Sequence, residues 1–408
     1  MQIPRDLERR MVEAVERTPA VDIYERLMPE SKRIGQRFDF ISWFLAYAGV
    51  EIQALGLEDA ELALLGNVNG DPERRWGLLA RYWPYIRTTG VGRAVLRIAW
   101  DLFGVDEIND RSWKDISAQL WKASAKGFYK GLLCERGNIV VTFVDNALDA
   151  GSRSCCRPVW SGDAILGIGD HLALDAVARE LGRPCAGVDD LVAWLENEIQ
   201  QAVSGGCAVF KIGSLPDVCL PGPEEASWAF GRVFRRDESA GVGEPVLQSY
   251  LLHRLLSFVA STGRPLQVHV QSEVDIDRLG ALAAQYPQIR FLAVYHGRGS
   301  AFSLLFLART RPNLALALGD LWCVAPRLAQ FTLQNWLLGV PSNKVFALSG
   351  NTTMVEAAVV CAQAARERLA ALVAEMVTAG SLDESDGVAV IRRVLFENAQ
   401  TYFALQVY

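Results

Sequence analysis

The chain has 408 residues, half of them apolar, and a formal net charge of −6. This balance excludes the basic excess of a nucleic-acid binder, and the charged opening MQIPRDLERRMVEAVERTP lacks the apolar run of a signal peptide. No stretch is apolar for long enough to span a bilayer, so a cytoplasmic protein with neither membrane nor nucleic-acid partners is expected, built as one elaborated domain or two.

Leu7, Met11, Val12 and Val15 recur at helical spacing over residues 5–17, and a Thr-Pro break leads into a short extended segment at 20–24. Residues 30–130 are aromatic-rich and helical in period, as in ISWFLAYAGVEIQALG and VGRAVLRIAWDLFGV, and read as a helical insertion. Beyond it the texture changes to apolar, β-branched runs: NIVVTFV (138–144), CAVFKI (207–212), PLQVHV (265–270), IRFLAVYH (289–296), LALAL (314–318) and KVFALS (344–349). Amphipathic stretches at 183–203, 246–262, 274–286 and 300–310 lie between most of them, and one more strand is expected between 155 and 170. Strand–helix alternation with a count near eight predicts a parallel α/β fold, a (β/α)8 TIM barrel with a helical insertion after its first strand. The organisation expected is 1–29 for the leading helix and first strand, 30–130 for the insertion, and 131–408 for the rest of the barrel and its C-terminal helices. Gly380 followed by Ser381 and Asp383 marks a helix stop and restart with Asp or Ser as the cap. The eight cysteines (134, 155, 156, 185, 207, 219, 323, 361) show no CxxC pair and no zinc-type spacing, which reads as buried or free thiols.

In such barrels chemistry sits where strands end and loops begin. Tyr24, Glu25 and Arg26 follow the first strand, Lys211 closes CAVFK, His269 lies in LQVHV, His296 closes FLAVYH, and Asn351 follows KVFALSG. Two of the four histidines therefore stand at strand ends; His171 and His253 lie in loop or helical context.

The order of these pieces resembles the amidohydrolase superfamily, in its uronate isomerase-like, amidohydrolase-related branch. The matching motifs are a DxHEHL-type strand (here Asp22-Ile23-Tyr24-Glu25-Arg26-Leu27), YWPYIRTTGVGRAVLRIAWDLFGV, VFKIGSLPDVCL, LQSYLLHRLLSFVASTGRPLQVHVQSE, the YHG strand, SNKVFALSGNTT and NAQTYF. The resemblance implies metal ligands from two first-strand histidines, a fourth-strand lysine carbamate, histidines of strands five and six, and an eighth-strand aspartate. Tyr24 and Arg26 stand where the first two are expected and Asn351 where the aspartate is, whereas Lys211, His269 and His296 remain.

A guanidinium cannot lose its proton and offers no acceptor, so the resemblance with these departures implies no cofactor. One divalent ion such as Zn²⁺ on Lys211, His269 and His296 is the alternative. The expected activity is acid–base chemistry on a small carboxylate-bearing metabolite, as a lyase, isomerase or hydrolase. Arg26 would hold the carboxylate, Tyr24 would donate a proton, Asn351 would bond a carbonyl, and Lys211, His269 or His296 would act as acid, base or nucleophile. Arg87 and Trp83 of the insertion would help enclose the substrate. A non-catalytic ligand- or partner-binding relative and a mononuclear metal hydrolase remain alternatives, and a homo-oligomer is possible.

Overall fold

Short runs of β-branched and small apolar residues form eight parallel strands, hydrogen-bonded in chain order β1 to β8. The computed structural model describes residues 3–34, 38–123, 125–145, 154–234 and 244–406. The strands are β1 (Ala20–Glu25), β2 (Ile139–Val144), β3 (Cys156–Ser161), β4 (Val209–Ile212), β5 (Leu266–Val270), β6 (Phe291–Tyr295), β7 (Leu314–Leu318) and β8 (Val345–Phe346). Every run expected from the sequence holds a strand, and the additional one expected between 155 and 170 is β3. The eighth is much shorter than the 344–349 run, because beyond Phe346 the backbone bonds elsewhere: Ala347 N–H donates to Val394 O.

The sheet closes without a regular ladder between β8 and β1. Ile23 N–H donates to Leu348 O at 3.2 Å, Asn351 N–H to Tyr24 O at 3.0 Å, and Arg26 N–H to Thr352 O at 2.9 Å. Strand side chains alternate between faces. Val21, Ile23, Val141, Phe143, Val159, Val209, Leu292, Val294, Ala315, Ala317 and Phe346 fill the barrel with apolar bulk, while Leu266, Val268 and Val270 face the surrounding helices. The same alternation carries Lys211 two positions beyond Val209, and His296 two positions beyond Val294, toward the end of the barrel at which the strands finish.

Helix α1 (Arg5–Arg17) buries Leu7, Met11 and Val15, and Val12, expected on that face, is more than a third exposed. The 30–130 stretch is mainly helical, and holds α2 (Phe40–Ala54), α3 (Pro72–Ile86), α4 (Gly90–Phe103) and α5 (Ser112–Ala123). Their aromatics make a second core: Trp76 stacks on Trp113 at 5.8 Å and Phe44 meets Trp83 edge-on at 5.9 Å. Later helices used below are α6 (Ala301–Thr310), α7 (Leu321–Val324), α8 (Pro326–Gly339) and α9 (Val355–Thr378). A buried Arg33–Glu356 ion pair, with Trp43 Nε1 donating to the same carboxylate at 3.4 Å, ties the helical layer to α9. Asp383 caps the helix after Gly380 by accepting from Asp386 N–H.

The reading of all cysteines as free thiols needs correction. Cys323 of α7 and Cys361 of α9 form a disulfide with Cα atoms 5.6 Å apart. They are 38 residues apart in sequence, and only the packing of α7 on α9 brings them together. No helix among the described residues is long and apolar enough to cross a membrane.

Candidate active site

A cavity of about 370 Å³ opens at the strand ends between the barrel and the helical layer. Arg26, His296 and Asn351 line it, together with Tyr47 and Glu51 of α2, Arg298, and Asp320 at the end of β7. Tyr24, Lys211 and His269 are buried and form no part of its lining.

Three groups make a hydrogen-bonded chain. His269 Nδ1 and His296 Nε2 are 3.0 Å apart, and His296 Nδ1 lies 3.0 Å from Asp320 Oδ1. Asn351 Nδ2 donates to the other Asp320 oxygen at 3.3 Å. Burial alone would raise the Asp320 pKa, but His296 and Asn351 outweigh it and hold the carboxyl below its usual value. Asp320 is therefore ionised and accepts from His296 Nδ1–H. Burial, followed by the neighbouring His296, Lys211 and Arg26, pushes His269 well below the ordinary imidazole range, so its ring is neutral. With Nδ1–H of His296 directed at Asp320, its Nε2 is left to accept from Nδ1–H of His269. Nε2 of His269 is then a bare lone pair, and it is buried without a hydrogen-bond partner.

Lys211 belongs to a separate group. Its ammonium donates to Asp145 at 2.7 Å and to Asp163 at 2.8 Å, and lies 5.4 Å from the centre of the Tyr24 ring. Burial opposes the charge on Lys211, but Tyr24, Asp145 and Asp163 together raise its pKa above the ordinary value. Lys211 is thus a charged ammonium, unsuited as placed to act as a base or nucleophile. Tyr24 donates its phenol proton to Asp145 at 2.9 Å and packs edge-on against His269 at 4.3 Å, so its proton is committed inside the cluster.

Arg26 is positioned by the seam between β1 and the segment after β8. Nη2 donates to Asn351 O at 3.2 Å, and Asn351 sits at φ +50°, in the left-handed region. Glu25 is fully buried and accepts from Thr352 N–H and Oγ1–H. A Cβ on Gly350 would come within 1.8 Å of Glu25 Oε1, so the close approach requires glycine. Burial raises the carboxyl of the adjacent Asp22 to about 6 and that of Glu25 well above the usual range.

Two of the candidates are placed away from the cavity. Trp83 is buried in the core of the helical layer, and Arg87 pairs with Glu107 at 3.4 Å on the surface. His253 is held by Tyr286 Oη and Cys219 O. The sequence reading passed over Asp145, Asp163 and Asp320, although Asp145 and Asp320 follow apolar runs as Lys211 and His296 do. It also passed over Tyr47, whose hydroxyl is buried without a hydrogen-bond partner at the cavity. Burial, then Glu51 and Asp320, raises the Tyr47 pKa, so the phenol keeps its proton.

No protein-family model and no curated protein matches the chain. Solved structures do. A uronate isomerase from Thermotoga maritima aligns over 98% of both chains with a TM-score of 0.80 at 12% identity. A glucuronate isomerase from Caulobacter crescentus covers all of this chain and 96% of its own, with a TM-score of 0.80 at 15% identity. The fold is that of the uronate isomerases. A "putative metal-dependent hydrolase" from Lactobacillus casei also shares it, over 97% of this chain and 99% of its own, with a TM-score of 0.66 at 14% identity. These proteins belong to the amidohydrolase superfamily that the sequence motifs resemble.

The comparison corrects the expectation of no cofactor, because a protein that shares this fold is described as metal-dependent. The residues of this chain fit an ion poorly. Lys211 is a donor locked between two carboxylates, His269 and His296 direct one nitrogen each at the other, and no three His, Cys, Asp or Glu residues among those described gather as a ligand set. No chemical step below is routed through an ion.

Proposed function

We propose that this is an enzyme of the uronate isomerase fold that moves a proton within a small hydroxy acid, the substrate carboxylate resting on Arg26. The observation that carries this reading is the opening of the His269–His296–Asp320 chain into the same cavity as Arg26 and the Tyr47 hydroxyl. His296 is the proton-transfer residue. Asp320 fixes its Nδ1–H and stabilises the imidazolium formed when Nε2 takes a proton, a step that requires the His269 ring to turn its Nδ1–H away from Nε2. Tyr47 donates a hydrogen bond to the substrate oxygen that gains charge. Arg26 supplies two parallel donors for the carboxylate, and Arg298 adds positive charge on the cavity wall.

Isomerisation suits this set better than hydrolysis. It needs a proton carried between neighbouring carbons, a polarised oxygen and a held carboxylate, whereas hydrolysis also needs an activated water. Asn351, standing where the resemblance places an aspartate base, cannot take its proton.

The test is incubation of the protein in D2O with D-glucuronate, D-galacturonate and related uronic acids, with and without added Zn²⁺ or Mn²⁺, followed by NMR. Deuterium appearing at the carbon beside the carbonyl, lost in His296→Asn, supports the reading. Turnover without exchange, or exchange unaffected by His296→Asn, would overturn it.

A further inference from the structure

The outer faces of α6 and α8 carry large apolar side chains in water. Phe302 is 47% exposed and Phe306 60%, while on α8 Leu328 is 37%, Phe331 51% and Leu338 58% exposed. Phe302 meets Phe331 edge-on at 6.1 Å, so the two helices present one continuous surface. Along α8 the outward positions Leu328, Phe331, Asn335 and Leu338 are separated by three, four and three residues, the spacing by which one helix packs along another, with Asn335 as the one polar member, its amide donating to Phe331 O. Surface helices of globular proteins ordinarily turn such a stripe inward. Here α8 buries Ala329, Thr332, Leu333 and Trp336 on its other side, so it is apolar on both faces.

We propose that α8, with Phe302 and Phe306 of α6, is the interface through which two copies of this chain associate about a twofold axis, α8 running antiparallel to its partner. Two observations favour a second copy over a different macromolecule. The first is charge. The only ionisable residue of α8 is Arg327, at its first turn, and α6 adds Arg309, whose guanidinium lies over the Phe306 ring at 6.0 Å, so the two helices offer no carboxylate for a basic partner to read. An antiparallel pairing that sets Leu328 against the partner's Leu338 places Arg327 beside the carboxyl end of the partner's α8, where the helix dipole favours a cation. It also keeps the two Arg327 side chains at opposite ends. The second is area. Three half-exposed phenylalanines, each with roughly 150–250 Å² to bury, supply about 300 Å². Leu328 and Leu338 carry the patch further toward the core of an interface of about 800 Å² per partner.

The interface would reach the cavity. Val324, just before α8, is 47% exposed and also lines the cavity, so a partner seated on α8 covers part of its rim.

The test is light scattering with size-exclusion chromatography on the full chain at about 10 μM, where an interface of standard size is expected to hold. The wild type should elute at twice the mass of the chain, and Phe306→Glu/Phe331→Glu at the mass of one chain with an unchanged circular dichroism spectrum. A monomeric wild type, or a double variant of undiminished mass, overturns the proposal. Should the double variant fail to fold, mild oxidation of Leu328→Cys mixed with Leu338→Cys decides. A 328–338 cross-linked peptide between chains, formed only in the mixture, supports the antiparallel pairing, and its absence refutes it.

Discussion

His269 and His296 stack with ring planes 25° apart and face each other nitrogen to nitrogen at 3.0 Å. Only one proton fits between them, so the pair cannot be doubly protonated without separating. His269 is the neutral member, its folded pKa lying well below the ordinary value near 6.5. Between those two values the unfolded chain binds a proton that the folded chain refuses. Stability from this source is complete above pH about 6.5 and falls as the pH drops, by at most about 1.4 kcal/mol per unit. Replacing His269 by Gln should flatten that fall. Urea melts of wild type and variant between pH 5 and 8 measure it, and the difference between them cancels the opposite contribution of Asp22, whose carboxyl is raised to about 6. Parallel stability curves for the two proteins would refute the assignment.

Lys211 bridges two carboxylates from different loops, and its removal leaves Asp145 and Asp163 facing each other without a counter-charge. Lys211→Met is expected to lose about 2–4 kcal/mol, toward the lower end because Asp163 is partly open to solvent. Adding Asp145→Asn should restore part of that loss. A double variant less stable than Lys211→Met would show that charge is not what the lysine balances.

At the cavity, Arg26→Lys replaces a two-pronged donor with a point charge. The expectation is a fall in kcat/KM of roughly 10- to 100-fold, carried mainly by KM because the carboxylate is held in substrate and transition state alike. His296→Asn should act on kcat instead, by about 100-fold or more. Steady-state kinetics on whichever acid shows exchange separates the two, and equal effects of both variants on KM alone would remove His296 from the chemistry.

The Cys323–Cys361 bond closes a loop of 38 residues. On chain-entropy grounds, reduction or Cys361→Ser should cost about 3–4 kcal/mol. Intact mass after alkylation under non-reducing conditions, paired with melting with and without reductant, checks both the bond and its effect.

The strands were readable from sequence because a parallel barrel buries both faces of its sheet, leaving near-continuous apolar runs. Lys211, His269 and His296 stood out against those runs as polar interruptions. Asp320 and Asp145 interrupt them in the same way, at LALALGD and VVTFVD, and the same rule would have found them had acidic ends been weighed beside basic ones. Tyr47 could not be found so: it lies in an aromatic-rich helix, where nothing in the local pattern separates a cavity residue from a core residue. Charge alone misplaced Lys211, since only the fold reveals that two aspartates already occupy its donors. Trp83 and Arg87 were drawn toward the mouth by the resemblance, but the turn of α3 sends one into the helical core and the other to the surface.

The seam at which Ile23, Tyr24 and Arg26 bond to Leu348, Asn351 and Thr352 has a consequence for how the molecule is made. The first strand emerges from the ribosome more than 300 residues before the segment that covers its second edge. At 5–20 residues per second that is a wait of roughly 15–65 s, during which β1 has an open edge and the arginine beside the cavity has no Asn351 carbonyl to hold it. The candidate site is therefore among the last parts of the barrel to be assembled. A nascent chain stalled before residue 348 should present β1 to chaperones or to a neighbouring chain while its β5–β7 region is already compact, and limited proteolysis of such stalled chains would reveal that order.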